Sequence, residues 1–292
     1  DLLCAALGHS WRRMKHRSDA STGPSDRLEL NVHVHAWLIT RTLLLALGVA
    51  LLCHLIGVYE HFGPHRRSEA WVVLFDMDLE ANLPTFFNAF LFFLCAGLAV
   101  LKAAGREGRL RRGWFIVAGV LAFLGVDEGT QIHEKFMLVT LRLMNHGSVS
   151  GRDFGWLYYA WVIPYVLAFS ALGILLLRWF LALSAQLRRG LLLCGLLYVF
   201  GAVFLEMYSG KVAEKLSAAT ADPDLMACIP CETYGASVCH IYADLTYVVV
   251  YTLEEVCEML ALILCADLIL RSLEKRHTSV LLRFTPRTAQ PS

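Results

Sequence analysis

Residues 37–58 read WLITRTLLLALGVALLCHLIGV, an apolar stretch in which the polar residues are Thr40, Arg41, Thr42 and His54. A transmembrane helix needs about 20 mostly apolar residues, so this stretch is long enough to cross a bilayer. Five further stretches have the same character, at 84–104, 114–134, 155–183, 191–208 and 242–270, and Pro164 predicts a kink in the fourth. The sequence therefore predicts an all-α fold, a polytopic integral membrane helix bundle with about six transmembrane helices.

Composition supports a membrane protein and excludes several other classes. Of the 292 residues, 57% are hydrophobic and only 17% are charged, and the formal net charge is +1. Such a chain is too apolar for a disordered protein, and it lacks the basic surface that binds nucleic acid. A soluble protein with six buried helices is the competing interpretation. It is disfavoured because such helices normally carry a polar stripe along their length.

Lysine and arginine residues set the predicted topology. They concentrate before the first stretch, between the second and third, between the fourth and fifth, and after the sixth. Because cytoplasmic loops carry an excess of Lys and Arg, these segments and both termini are predicted to be cytoplasmic. The predicted organisation is a cytoplasmic N-terminal segment at 1–36, a transmembrane domain at 37–271 with outer loops at 59–83, 135–154 and 209–241, and a cytoplasmic tail at 272–292.

Several acidic residues fall inside the predicted helices, where a charged side chain costs at least about 2.5–3.5 kcal/mol on insertion scales. They are Asp127 and Glu128 on the third stretch, Glu206 on the fifth, and Glu254, Glu255 and Glu258 on the sixth. At a rise of about 1.5 Å per residue, these acids share one level in the middle-to-outer part of the membrane. His54 on the first stretch falls at a similar height.

The spacing of these acids predicts that they face the interior of the bundle. Asp127, Gln131 and Glu134 stand at i, i+4 and i+7 of one predicted helix, and Glu254 and Glu258 stand at i and i+4 of another. Too few basic residues lie at this depth to neutralise them. Either a metal ion supplies positive charge or several of the carboxyl groups are protonated.

The donor types favour iron, manganese or zinc, because carboxylates and imidazole predominate over thiolates. The candidate metal ligands are Asp127, His133, Glu206, Glu254, Glu255 and Glu258, with Glu128 or Glu134 as a catalytic base. The Glu-x-x-His spacing of bundle di-metal sites is absent, since Glu128 and His133 are five residues apart. A buried hydrogen-bonded network that fixes helix register and a proton or ion pathway are the two alternatives.

Three short motifs resemble those of a family of uncharacterised bacterial multi-pass membrane proteins. The motifs are Glu80-Ala-Asn-Leu-Pro-Thr, Asp127-Glu128 followed by His133-Glu134, and Glu254-Glu255-x-x-Glu258-Met259, within residues 70–270. The family pattern is similar to E-x-N-[IL]-P-T, D-E-x4-H-E and E-E-x-x-E-M. The resemblance implies a location in the bacterial cytoplasmic (inner) membrane and adds Glu80 and Asn82 to the candidate site. It implies no activity. Taken without it, the first motif is also typical of a helix N-cap.

Three cysteines lie close together in the last predicted outer loop. Cys228 and Cys231 form a C-x2-C pair, and Cys239 follows. On the oxidising side of a membrane a disulfide is favoured over a zinc site. A Cys228–Cys231 ring would be tight, so the predicted bond joins Cys239 to either of the other two.

Three functions fit the sequence. The first is a metal-dependent membrane enzyme that acts on a lipid-like or quinone-like substrate. The second is a proton or cation transporter that uses the same carboxyl groups, although the chain lacks inverted repeats. The third is a non-catalytic subunit of a larger membrane complex. The expected partners are the lipid bilayer and, for the third function, other membrane subunits, with no nucleic acid.

Overall fold

A computed structural model describes residues 28–32, 35–62, 69–144, 155–219, 244–275 and 280–284, and these residues are predominantly helical. The α-helices are α1 Ala36–Phe62, α2 Glu69–Phe75, α3 Leu83–Ala104, α4 Gly108–Thr130, α5 Ile132–Met144, α6 Val162–Leu181, α7 Ala185–Val199, α8 Glu206–Ala219 and α9 Leu245–Glu274. A 3-10 turn at Gly155–Leu157 precedes α6, and a π-helical segment at Phe200–Leu205 joins α7 to α8.

Two short strands belong to a separate compact unit. Strand β1 Leu28–Val32 pairs with β2 Val280–Phe284 in an antiparallel ladder, with Leu28 opposite Phe284 and Val32 opposite Val280. The two strands come from the segments that the sequence assigned to the cytoplasmic N-terminus and tail.

Within the described residues, five helices are long and apolar enough to cross a membrane, which indicates a multi-pass membrane protein. They are α1, α3, α4, α6 and the continuous helix from α7 through α8, with spans at Ala36–Glu60, Leu83–Ala104, Gly108–Thr130, Val162–Leu181 and Ala185–Leu216. Helix α9 has 30 residues and is long enough, but its sequence includes Glu254, Glu255, Glu258 and Asp267. Because of these acids, α9 is less apolar than the five helices named above and is not counted among them.

Helix α9 lies at the centre of the bundle and packs against α1, α3, α7 and the π-helical segment. Its side chains at Met259, Ile263 and Ala266 are fully buried against partners such as Leu91 and Phe92 of α3. The large apolar side chains on the outer surface are mostly leucine, isoleucine and phenylalanine, the residue types expected at a lipid-facing surface. The bundle therefore has a packed centre and an apolar exterior.

Polar contacts fasten α9 to the neighbouring helices at its C-terminal end. The backbone N–H of Ala36 donates to Glu274 at 2.6 Å, and Thr40 donates to Asp267 at 2.6 Å. The ammonium group of Lys102 donates to Ser272. These contacts bring the start of α1 and the ends of α3 and α9 together at the end of the bundle that the sequence predicted to be cytoplasmic.

The predicted third transmembrane helix ends earlier than expected. Helix α4 stops at Thr130, and Gln131 adopts a left-handed conformation (φ 56°), with its N–H bonded to the carbonyl of Asp127 at 2.7 Å. A separate helix, α5, then begins at Ile132. The predicted single helical face of Asp127, Gln131 and Glu134 is therefore wrong, because the backbone turns at Gln131.

Two other predicted helices also differ from the structure. The fourth begins at Val162, so Pro164 lies in its first turn, where a missing N–H is tolerated and no kink results. The fifth is much longer than predicted and continues from Ala185 to Ala219 through the π-helical segment. The second matches its prediction closely, with Pro84 in the first turn of α3.

The π-helical segment packs closely on α9 because it carries Gly201. A Cβ atom at this position would lie 2.9 Å from the carbonyl oxygen of Glu254 and 3.2 Å from Cβ of Cys257. A larger side chain would therefore push the two helices apart. The glycine therefore allows the π-helical segment to lie against α9, directly before Glu206 at the start of α8.

We expect Gly201→Val to lower the stability of the protein by about 1–3 kcal/mol, the usual cost of forcing extra atoms into a packed interface. Thermal unfolding in detergent micelles measures this effect. The matched control is Gly195→Val on α7, where a Cβ atom would have no neighbour within 4 Å. Equal destabilisation by both substitutions would mean that the loss of glycine itself, and not the contact with α9, is responsible.

Candidate functional site

A cavity of about 1140 Å³ lies in the bundle, lined by residues from the loop before α3 and from α3 to α9. The lining side chains that carry a carboxyl group are Asp78, Glu80, Asp127, Glu128, Glu206, Glu254, Glu255 and Glu258. Its apolar lining includes Phe92, Leu124, Val162, Val166, Phe169, Val199, Ala202 and Val203. The cavity is therefore acidic in one part of its lining and apolar in another.

Glu206 and Glu254 form the contact between α8 and α9. Their carboxyl groups lie within hydrogen-bonding distance of each other. Trp161 donates its indole N–H to Glu206 at 3.0 Å, and Ser209 donates to Glu254 at 3.3 Å. Trp161 and Ser209 thus hold the two acids beside each other where α8 meets α9.

Asp127 holds α4, α5 and α6 together. One carboxylate oxygen accepts the backbone N–H of His133 at 2.8 Å, and the other accepts the hydroxyl of Tyr165 at 2.8 Å. The Nδ1 atom of His133 also lies 3.4 Å from Asp127. The backbone contact caps the start of α5, which explains why the chain starts a new helix directly after Gln131.

His133 carries the one imidazole of the described cavity lining. Burial disfavours its charged form, but the hydrogen bond to Asp127 and the negative charges of Asp127 and Glu206 outweigh burial and raise its pKa to about 9. The ring also lies 5.0 Å from that of Trp161. His133 is therefore a cation at neutral pH and offsets part of the negative charge around it.

The raised pKa of His133 predicts a pH dependence of stability. The stabilising effect of the charged imidazole is fully present below the unfolded value of 6.5 and is lost as the pH rises through about 9. We expect the free energy of unfolding to fall across this window by up to about 3 kcal/mol. Thermal unfolding measured at several pH values tests this expectation. His133→Gln should remove the dependence, whereas the same substitution at the exposed His35 should leave it unchanged.

Glu128 contacts a buried amide on α3. The side-chain NH₂ of Asn88 donates to Glu128 at 3.0 Å, and Asn88 is fully buried. Among the described residues the amide oxygen of Asn88 has no hydrogen-bond partner. On the facing helices, the hydroxyl of Tyr198 bonds to Glu258. Both carboxyl groups are thus oriented by neutral partners on neighbouring helices.

A second hydrogen-bonded chain runs along the edge of the cavity. Tyr247 donates to Asp78 at 3.3 Å and lies 3.2 Å from the hydroxyl of Tyr159, while Tyr251 donates to Asp76 at 3.1 Å. Burial, together with the charges of Asp76 and Glu206, raises the pKa of Asp78 well above its usual range. This part of the cavity is therefore built from tyrosine hydroxyls and carboxyl groups.

The structure brings most of the candidate residues from the sequence to one cavity. Those that line it are Glu80, Asp127, Glu128, His133, Glu206, Glu254, Glu255 and Glu258. His54 is buried elsewhere, 2.9 Å from Thr252 and 3.7 Å from Asp76. Asn82 caps α3 by accepting the N–H of Thr85, as in the capping alternative. The side chain of Glu134 and the residues Cys228, Cys231 and Cys239 lie outside the described part of the chain.

Sequence reasoning missed Asp78 and the aromatic side chains of the cavity. The rings that line it belong to Phe92, Tyr158, Tyr159, Trp161, Tyr165, Phe169, Tyr198, Tyr247 and Tyr251. The i, i+4 spacing of Trp161 with Tyr165 and of Tyr247 with Tyr251 was a usable signal. Aromatic residues near the ends of membrane helices are also typical of interfacial belts. For this reason the sequence did not indicate that these rings line a cavity.

No group of three or more His, Cys, Asp or Glu side chains has metal-binding geometry within the described residues. Iron, zinc or manganese bound at the candidate ligands therefore stays a prediction. Some of the candidate ligands come together in hydrogen-bonded contacts: Glu206 lies beside Glu254, and Ser209 donates to Glu254.

Comparisons with known proteins give a family and no activity. A family described as "Domain of unknown function (DUF8692)" matches residues 41–272. No curated protein and no solved structure matches the chain. The matched range includes all the helices that line the cavity.

Proposed function

We propose that this chain, which belongs to the DUF8692 family of domains of unknown function, binds a lipid-like or quinone-like molecule in the cavity. There it carries out acid–base chemistry on the polar head of the ligand. The observation that carries the proposal is the lining of the cavity, which combines buried carboxyl groups with apolar side chains. A molecule with one polar and one apolar end matches such a lining.

In the proposal, the ligand reaches the cavity from the lipid between α6 and α7. A short turn at 182–184 joins these two helices, and both helices carry residues that line the cavity. Val166, Phe169 and Val199 line the cavity and are also substantially exposed, at 43%, 37% and 52%. In the proposal, the hydrocarbon chain of the ligand lies between these side chains and its head reaches the carboxyl groups.

The proposed topology has six transmembrane helices, with α9 as the sixth and both termini in the cytoplasm of a bacterium. Central packing of α9 supports this count, since its acids face the cavity and not lipid. The basic residues in or near the turns after α3 and α6, such as Arg106, Arg109, Arg188 and Arg189, support the orientation. The cavity would then lie in the outer half of the bacterial inner membrane.

The proposed chemistry assigns roles to the groups that line the cavity. Glu128, oriented by Asn88, is placed to exchange a proton with the head of the ligand. His133 is paired with Asp127 at the edge of the cavity and helps to hold that carboxylate in place. If a divalent metal ion binds, Glu206, Glu254, Glu255 and Glu258 are the donors, and the ion would supply an activated water or dioxygen. The proposal covers hydrolysis and oxidation alike.

Reconstitution of the purified protein into nanodiscs made from a bacterial lipid extract, with and without added iron, zinc or manganese, tests the proposal. Mass spectrometry of the lipids and quinones should show turnover by the wild type, and Glu128→Gln should reduce it by about 10²-fold or more. The matched control is Glu107→Gln, a loss of the same charge at an exposed residue before α4.

Three results would contradict the proposal: no turnover with any extract, proton flux through liposomes without lipid chemistry, or co-purification of a fixed partner subunit that provides the activity. The second would support a transporter, and the third a non-catalytic subunit. Elemental analysis of the same preparations separates metal-dependent from metal-independent turnover.

A further inference from the structure

We propose that the polar head of the ligand is an ammonium group, so that the cavity takes an amphiphile with a cationic head in preference to one with a neutral or anionic head. This inference rests on the proposed function and narrows its substrate class. Two independent features carry it: the aromatic rings of the cavity and the balance of charged groups around it.

Several aromatic rings of the cavity lie next to its carboxyl groups. Trp161, which donates to Glu206, lies with its ring 5.2 Å from that of Tyr165 at an interplanar angle of 84°. Tyr158 and Tyr159 lie 5.2 Å apart, also close to perpendicular. All four of these residues line the cavity, and aromatic side chains grouped around one volume are how proteins recognise quaternary ammonium groups.

Tyr247 and Tyr251 extend the same lining on α9. Their rings lie 5.3 Å apart, and their hydroxyls are bonded to Asp78 and Asp76. The hydroxyls are thus occupied by carboxyl acceptors. Both rings also line the cavity, and an aromatic ring attracts a cation.

Acidic side chains far outnumber basic ones around the cavity. Among the described lining residues the carboxyl groups belong to Asp78, Glu80, Asp127, Glu128, Glu206, Glu254, Glu255 and Glu258, and the one basic side chain is His133. His133 is already paired with Asp127. Lys211 lies over the ring of Trp156, at 5.1 Å, and does not line the cavity. A ligand cation would therefore meet several acidic side chains, among them the adjacent Glu206 and Glu254.

The size and the apolar lining of the cavity fit the rest of such a molecule. A volume of about 1140 Å³ exceeds what an ammonium head alone would fill. Phe92 and Leu124 at one side, with Val166, Phe169 and Val199 towards the exposed surface, provide contacts for a hydrocarbon chain. The head group and part of the chain can therefore be held together.

Three spin-labelled probes that share one stearyl chain and differ in the head test this inference. The heads are trimethylammonium, methyl ester and carboxylate, and binding to the full-length protein in zwitterionic nanodiscs is measured by electron paramagnetic resonance. We expect the trimethylammonium probe to bind about tenfold or more tightly than the methyl ester, since a desolvated cation is attracted to aromatic rings and an ester is not. The carboxylate probe should bind most weakly.

Variants separate the rings from the charges. Trp161→Leu should remove most of the preference for the ammonium probe, whereas Trp161→Phe, which keeps a ring and loses the N–H, should keep most of it. Glu254→Gln should reduce the preference, and the exposed Glu107→Gln should leave it unchanged. A merely structural role of Trp161 would lower the binding of all three probes equally, which would overturn the inference.

The outcomes also distinguish this inference from the proposed function. Equal binding of the ammonium and ester probes, or tighter binding of the carboxylate probe, would overturn the ammonium head and leave a lipid-binding cavity in place. Failure of all three probes to bind would contradict both.

Discussion

Replacing Ala202 by tryptophan is expected to abolish binding of the ligand in the cavity while leaving the protein folded. Ala202 belongs to the π-helical segment, is 8% exposed, and lines the cavity close to Glu206. An indole group at this position would fill the space between the apolar and the acidic parts of the lining. Because it would enter a cavity and not packed atoms, we expect little destabilisation.

The control for this substitution lies on the same continuous helix. Leu193 is 67% exposed and does not line the cavity, so Leu193→Trp should change neither binding nor stability. The measurements are the amount of lipid that co-purifies with each variant and its thermal unfolding. If Ala202→Trp binds as much lipid as the wild type, the cavity is not the binding site.

Asp127→Leu is expected to have the largest effect on stability, a loss of about 3–5 kcal/mol, the cost of removing one partner of a buried ion pair. The substitution leaves charged His133 without its counter-ion and leaves the hydroxyl of Tyr165 without its acceptor. It also removes the carboxylate that accepts the first free N–H of α5. Helices α4, α5 and α6 would lose the contact that joins them.

Two further variants calibrate this loss in thermal or denaturant unfolding. Tyr165→Phe removes only the hydroxyl donor and should cost about 1 kcal/mol. Arg271→Gln removes an exposed i, i+4 ion pair with Asp267 and should change the stability little. If Asp127→Leu is no more harmful than Arg271→Gln, Asp127 does not hold the three helices together.

The sequence predicted the long apolar helices because hydropathy over about 20 residues depends little on tertiary context. It also predicted a common level for the acids, and the structure places Glu206 beside Glu254 across the contact of α8 with α9. The reason is geometric, since a fixed rise per residue converts sequence position into depth. The start of α3 was predictable as well, because Asn82 and Pro84 are local capping signals.

Other features depended on contacts that a sequence does not display. Helix α4 ends at Thr130 because Gln131 takes a left-handed conformation, which few residues other than glycine adopt without tertiary support. The π-helical segment depends on the close approach of Gly201 to α9. Asp78 was overlooked because it lies in a loop, and only the fold brings it to Tyr247.

Photo-crosslinking of the wild-type protein in nanodiscs, with a lipid that carries a diazirine on its acyl chain, tests the central claim most directly. Mass spectrometry of the peptides locates the adducts. A lipid-binding cavity predicts adducts on Phe92, Leu124 and Ala202, which line the cavity within the bundle. Adducts confined to outward-facing side chains such as Leu45, Ile174 and Leu193 would contradict the claim.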